Sequence, residues 1–350
     1  MAIRVGRLVR VGFAKRGAVP SAPPATGDFT TPTLAVRFLP PHSFFPTITP
    51  LESAAIDGLR ELPSKVTKGP GTIEGFKVNH ELEPSDVLAN MLMAVFGLDT
   101  VTGDGAAAPH AHNFSSLQAS QLPTYDWWHD EGDKQFGFAG MMASRADLIV
   151  NKAETIRLET EWHGLFPVEQ LLINPTLTTP TVRPLVWAQV AASLAGSQVY
   201  NLGMVQVTID NAVGSEHTLR SDTEFKSAIW VPQINAVASF EQFFENTVEY
   251  DKYRNAADPA SFVDSSLELL ITSVETFTEG ALTQPFVFRV KMGATNYRTF
   301  EVPMPDGVIK ASATLVGKKH TGTIGAGGNA HAYTNKAIVI QFVNGVAAAY

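Results

Sequence analysis

The stretch ETIRLETEWHG, residues 154–164, decides the fold class. Its apolar residues Ile156, Leu158 and Trp162 fall on alternate positions, with Thr155, Arg157, Glu159 and Glu161 between them. A period of two sends successive side chains to opposite faces, so the segment predicts a strand with one buried face and one wet, mostly acidic face. A helix would scatter the same residues around its circumference.

The same texture extends outward in both directions. FGFAGMMAS and RADLIV precede the stretch, and VWAQVAASLAG, NLGMVQVTIDN and EFKSAIWVPQINAVASFEQFF follow it. Further strands are expected at 267–272 and 286–292, and the last ones in VIKASATLVGKKH and NKAIVIQFVNG, separated by the glycine-rich hairpin TGTIGAGGNAHAY. Near the start, Ile3, Val5, Leu8, Val9 and Val11 suggest a strand, and residues 17–33 read as an irregular arm rich in Pro, Gly and Thr. GTIEGFKVNHEL, 71–82, predicts a strand with a bulge.

Two short helices interrupt this pattern. In the first, Pro84 suits a first turn, Asp86 the positive end of the dipole, and Gly97 a C-terminal stop. Leu88, Met91, Leu92 and Val95 between them keep helical spacing and predict a core stripe. A second helix is expected at 246–254, and residues 100–123 read as loop. The expected architecture is therefore mainly β.

NPTLTTPTVRP, 174–184, is punctuated by proline and marks a candidate boundary, giving domains 1–180 and 181–350. The two halves share an order of elements: strands, a short helix, then paired strands. In this alignment ETIRLETEWHG corresponds to AIVIQFVNG, and the helix after GTIEGFKVNHEL to the one after QINAVASFEQFF.

Composition removes several function classes. Net charge is −8, opposite in sign to a surface that captures phosphates. Cysteine is absent, which excludes disulfides, thiolate metal sites and cysteine nucleophiles. Charged residues make up 17%, below the usual share, so part of the outer face is expected to be covered by partners. No apolar run long enough to span a membrane occurs, and the basic start lacks the features of a secretory signal, so a cytoplasmic origin is expected.

Candidate chemistry is sparse. His110 and His112 in PHAHNF can share a metal only with further ligands, and His129, Asp130, Glu131 and Asp133 lie beyond a turn. YDWWHDEGDK gathers Tyr125, Trp127 and Trp128 among acids without the spacing of a calcium loop, and reads as aromatic strands flanking a hairpin turn. A carbohydrate platform on the same rings is the competing reading. Glu159 and Glu161 form a carboxylate pair with nothing to suggest a glycosidase cleft. The glycines at 325–328 lack the context of a nucleotide loop, and no GxSxG, HExxH or P-loop motif is present. The residues lead to no enzyme and no cofactor.

In order along the chain, VGFAKRGAVPSAPP, LAVRFLPPHSF and GLRELPSKVTKGPGTIEGFKVNHELEPSDVLANMLMAVFG resemble the start of the tail tube proteins of phages with long non-contractile tails. HNF, LPTYDWW and FGFAGMMASRADLIVNKAETIRLETEW resemble that family's middle, and VTIDNAV and AIVIQFVNG its second half. The resemblance implies two tandem tube-like β domains, each of packed sheets with a short helix outside, sharing a β-barrel closed between subunits. It implies trimeric rings of pseudo-sixfold symmetry, stacked into a tail assembled in the host cytoplasm. Its partners would be other copies, a tape measure protein, tail tip and terminator proteins, and double-stranded DNA passing through the lumen.

On that reading Arg157, Glu159 and Glu161 are candidate lumen residues, with Gln341 their counterpart in the second half. Ala18, Pro20, Pro23 and Asp28 in the arm, and Gly325, Gly327 and Gly328 in the hairpin, are candidates for contact between rings. Competing expectations are a tail terminator, baseplate or capsid decoration protein, or a glycan-binding sandwich.

Overall fold

The computed structural model describes residues 10–17, 20, 29–43, 47–48, 51–52, 66–67, 71–103, 109–117, 121–131, 134–169, 173–217, 225–226, 228–245, 247–255, 258, 261–279, 282–303 and 309–350. The protein is mainly β, with antiparallel sheets and two α-helices among the described residues.

The first strands are β1 (Arg10–Arg16), β2 (Leu34–Ala35), β3 (Leu39–Ser43), β4 (Thr47–Ile48), β5 (Leu51–Glu52), β6 (Val66–Thr67) and β7 (Gly71–Glu81). Helix α1 (Asp86–Phe96) follows, then β8 (Gly97–Thr102), β9 (His110–Ser116), β10 (Thr124–Asp130), β11 (Gln135–Asn151), β12 (Arg157–Gly164) and β13 (Phe166–Glu169). The second half opens with β14 (Val190–Leu194), β15 (Ser197–Val199), β16 (Leu202–Asp210), β17 (Gly214–Glu216), β18 (Ala228–Trp230) and β19 (Asn235–Phe243). Helix α2 (Val248–Arg254) precedes β20 (Ser265–Glu279), β21 (Leu282–Glu301), β22 (Lys310–Gly317), β23 (His320–Ile324), β24 (His331–Lys336) and β25 (Val339–Asn344).

Two long strands organise these elements. The first part of β11 pairs with β10 and β13, and its second part with β12 and β16. The first part of β21 pairs with β20 and β25, and its end with β22. One sheet path therefore runs β3–β7–β12–β11–β16–β19–β22–β21–β20–β14–β15. Its end strands β3 and β15 each have pairing on one side only, so no barrel closes within the chain among the described residues.

The halves repeat each other at the level of pairing. β7 precedes α1 and pairs with β12, which pairs with β11. β19 precedes α2 and pairs with β22, which pairs with β21. Both β11 and β21 carry a β-bulge in the ladder to that partner, between Ala143 and Arg145 and between Tyr297 and Thr299. The counterpart of ETIRLETEWHG is thus β22 and not AIVIQFVNG. The latter lies in β25, which matches β13 in joining the first part of the long strand. Composition hid this correspondence, because β12 alternates charge with apolar residues whereas β22 alternates Ser and Thr with Ala and Leu.

The core of the first half is aromatic. Trp127 on β10 stacks on Phe13 of β1 and meets Phe76 of β7 and Trp162 of β12, so the β1–β10 layer faces the β7–β12 layer. Helix α1 ends at Gly97, whose φ of 78° is the left-handed conformation that glycine adopts without strain. Leu88, Met91, Leu92 and Val95 are buried as their spacing required, each stabilising the fold by about 1.5–3 kcal/mol. Val87, Ala89, Ala94 and Phe96 are buried too, so α1 is covered around most of its circumference. Helix α2 is the peripheral one: none of its residues is fully buried, and Tyr250 and Tyr253 pack on Phe300.

The expected loop at 100–123 contains two strands. β8 continues to Thr102, and β9 spans His110–Ser116 with almost every residue buried. A strand buried on both faces cannot show alternation, and its polar His and Asn residues disguised it further.

Candidate functional site

The polar side of β12 lies on a broad sheet face shared by both halves. Across β12, Arg157 is opposite Glu81, Glu159 opposite Asn79, and Glu161 opposite Lys77 on β7. On the other side the partners are Ile149, Asp147 and Arg145 of β11. The face continues over Thr208 and Gln206 of β16, Ser239 and Glu241 of β19, Ser312 and Thr314 of β22, and Thr299 and Glu301 of β21. Period-two geometry fixes this assignment, since the intervening Leu158, Thr160 and Trp162 are buried.

Four cations on this face are matched to carboxylates. Lys77 lies 3.6 Å from Glu161, Arg145 2.7 Å from Asp147, Arg157 3.0 Å from Glu154 and Lys310 3.7 Å from Glu241. The Asp147 hydrogen bond outweighs desolvation and pushes the Arg145 pKa further up, so its charge is fixed. Asp147 also accepts hydrogen bonds from Gln206, at 3.0 Å, and from Thr208. Glu159 has no cationic partner among the described residues and lines a shallow cavity with Lys77, Arg145, Asp147 and Glu161. Across β7, β12 and β11 this stripe offers a polyanion no free cation among the described residues, whereas Arg298, exposed at the β21 bulge beside Thr299, has no carboxylate partner there.

Gln341 does not belong to this face. It is 1% exposed, donates to Asn113 at 2.8 Å and to the Asn329 carbonyl at 2.7 Å, and accepts from Arg289 at 3.1 Å. The β23–β24 hairpin folds over it. By strand correspondence the second-half counterparts of Glu159 and Glu161 are Ser312 and Thr314, which sequence reasoning missed because they carry no charge.

The hairpin glycines occupy the β23–β24 turn, where Gly325 and Gly327 take φ of 81° and 60°. A side chain at Gly325 would strike the Asn329 carbonyl and Gln341, so this part of the turn is packed, whereas Gly327 faces open space. Gly328 lies beside Gly327 in a single 3-10 turn. Of the arm candidates, Pro20 is buried against Gly140 of β11. Ala18, Pro23 and Asp28 lie outside the described residues.

The remaining motifs are structural. Tyr125, Trp127 and Trp128 are each 0% exposed, which withdraws the rings that a carbohydrate platform would need. After them β10 and β11 pair out to Asp130 and Gln135, with Glu131 N–H donating to the Lys134 carbonyl at 2.9 Å, while Asp133 lies outside the described residues. His110 hydrogen-bonds Glu279 at 2.7 Å and His112 hydrogen-bonds Asp99 at 2.8 Å. Among the described residues no group of three or more His, Asp or Glu side chains is arranged to hold a metal ion, and no helix is long and apolar enough to cross a membrane.

No family model matches the chain, and no curated protein matches it.

Proposed function

We propose that the chain is a structural protein of the phage tail tube kind, which assembles with copies of itself into stacked rings around a channel for DNA. The observation that carries this reading is the shared polar face. Two repeated units contribute one continuous sheet surface, on which Lys77, Arg145, Arg157 and Lys310 are held by carboxylates and Glu159 has no cationic partner among the described residues. A conduit for DNA needs such a wall, because free Lys and Arg would bind phosphates and stall passage.

Two further features support it. The sheet path is open at both ends, and an open edge is a hazard that closure between subunits removes. The internal repeat, down to the bulge in each long strand, suits a chain that supplies two tube units to one ring. On this reading the tandem units correspond to 1–180 and 181–350, three chains make a ring of pseudo-sixfold symmetry, and the protein acts without catalysis or cofactor. Its partners are the tape measure, tail tip and terminator proteins, and its place is the virion.

Negative-stain electron microscopy of the purified protein, before and after concentration, tests the proposal. Hollow stacked tubes are expected. Single closed rings that never stack, even when seeded, would favour a terminator or decoration protein instead.

A further inference from the structure

We propose that copies of this chain join edge to edge through the end of β21 in one and β3–β4 in the next, repeating between molecules the seam that β11 and β16 form within one. The inference rests on the self-assembly reading above and on the internal repeat.

Residues 145–149 of β11 pair with β12 along one edge and with β16 along the other. In β21 the corresponding stretch pairs with β22 along one edge. On its opposite edge the pairing with β20 ends at Thr295, and beyond that residue no described strand is paired there. Among the described residues a place equivalent to that of β16 is therefore unfilled.

The repeat also identifies the strand that fits it. β16 is the strand paired with β19 on the side away from β22. The strand paired with β7 on the side away from β12 is β3, continued by β4. Both have one edge without a partner among the described strands. The first half thus carries the insert that the second half lacks, and the second half the edge that the first half has filled. A heterologous contact of this kind propagates from copy to copy, and it makes a ring where the rotation per copy closes.

Register transfers as well. Thr299, just past the bulge and opposite Thr314, takes the place of Arg145, just past its bulge and opposite Glu161. Arg145 pairs with Asp210, near the start of the β16–β19 ladder at Asn235. Thr47, opposite Thr72 near the start of β7, takes the place of Asp210. Thr299 of one copy is accordingly set opposite Thr47 of the next, and Pro303 opposite Ser43. Pro40 and Pro41 remove N–H donors from β3, which discourages pairing with unrelated strands and leaves β4 to fix the register.

The chain has no cysteine, so introduced cysteines report contacts cleanly. Thr299→Cys and Thr47→Cys variants are made separately, mixed under assembly conditions and oxidised. Pro303→Cys with Ser43→Cys is a second pair, in case the first disturbs folding. Arg145→Cys with Asp210→Cys in one chain is the positive control. A covalent dimer in the mixture, with none from either variant alone, is expected. Assembled wild type and assembled variants without that dimer, while the control pair closes, overturn the seam but leave self-assembly standing. Wild type that stays monomeric on concentration, measured independently by light scattering, removes both.

Discussion

His112 Nδ1 lies 2.8 Å from Asp99 Oδ2, with side chains 0% and 1% exposed. The other ring nitrogen lies 2.8 Å from the Val346 carbonyl, and Tyr350 N–H donates to the same Asp99 oxygen at 3.1 Å. The pair therefore ties residues 346–350 to β8 and β9. Tyr350 adds a hydrogen bond of 2.6 Å to Asp86 at the start of α1.

Replacing His112 by Ala leaves the buried Asp99 carboxylate with the Tyr350 N–H but without the imidazole. A loss of about 3–5 kcal/mol is expected, read from urea titration of the purified protein. A change below about 1 kcal/mol would show that water reaches the site.

His80 makes stability depend on pH. Burial, against a weaker contribution from the hydrogen bond to the Glu81 carbonyl, lowers its pKa from 6.5 to about 4. The folded protein holds the ring neutral while the unfolded chain binds a proton, so stability is full above pH 6.5 and falls as pH drops towards 4. The span corresponds to about 3 kcal/mol. His80→Leu is expected to flatten this slope relative to wild type, and parallel curves for the two proteins would contradict the assignment.

Glu159→Lys combined with Glu161→Lys tests the polar face directly. Wild-type assemblies are expected to show no retention of double-stranded DNA at physiological salt, and the double variant to bind it. The logarithm of its affinity should fall by about 0.9 for each phosphate neutralised per tenfold rise in salt. Equal DNA binding by both proteins would sink the lumen assignment.

Gly97→Ala places a side chain at a φ of 78° and within 3.0 Å of Leu122 Cδ2. The expected cost is about 1–2 kcal/mol for holding an alanine Cβ in the left-handed conformation, plus the displacement of Leu122. Thermal unfolding measures it, and an unchanged Tm would mean that the cap relaxes.

Trp127→Ala empties the centre of the aromatic core, where Phe13, Phe76 and Trp162 meet the ring. A loss of about 3–5 kcal/mol is expected. Glycan affinity lost without any loss of stability would instead return the platform reading.

The sequence by itself determined the fold class, both helices, the strand at 154–164 and the hairpin before the last strand. Each depends on local periodicity or on a local stop signal such as Gly97, and those act over a few residues. Tertiary structure decided the rest. Gln341 looks like a surface residue in AIVIQFVNG, yet the β23–β24 hairpin covers it, and only long-range folding brings Asn329 to its amide. His110 and His112 read as loop because a strand buried on both faces has no polar side to display. Ser312 and Thr314 became visible as counterparts of Glu159 and Glu161 only through strand pairing, because two segments can share a place in a sheet while sharing no chemistry.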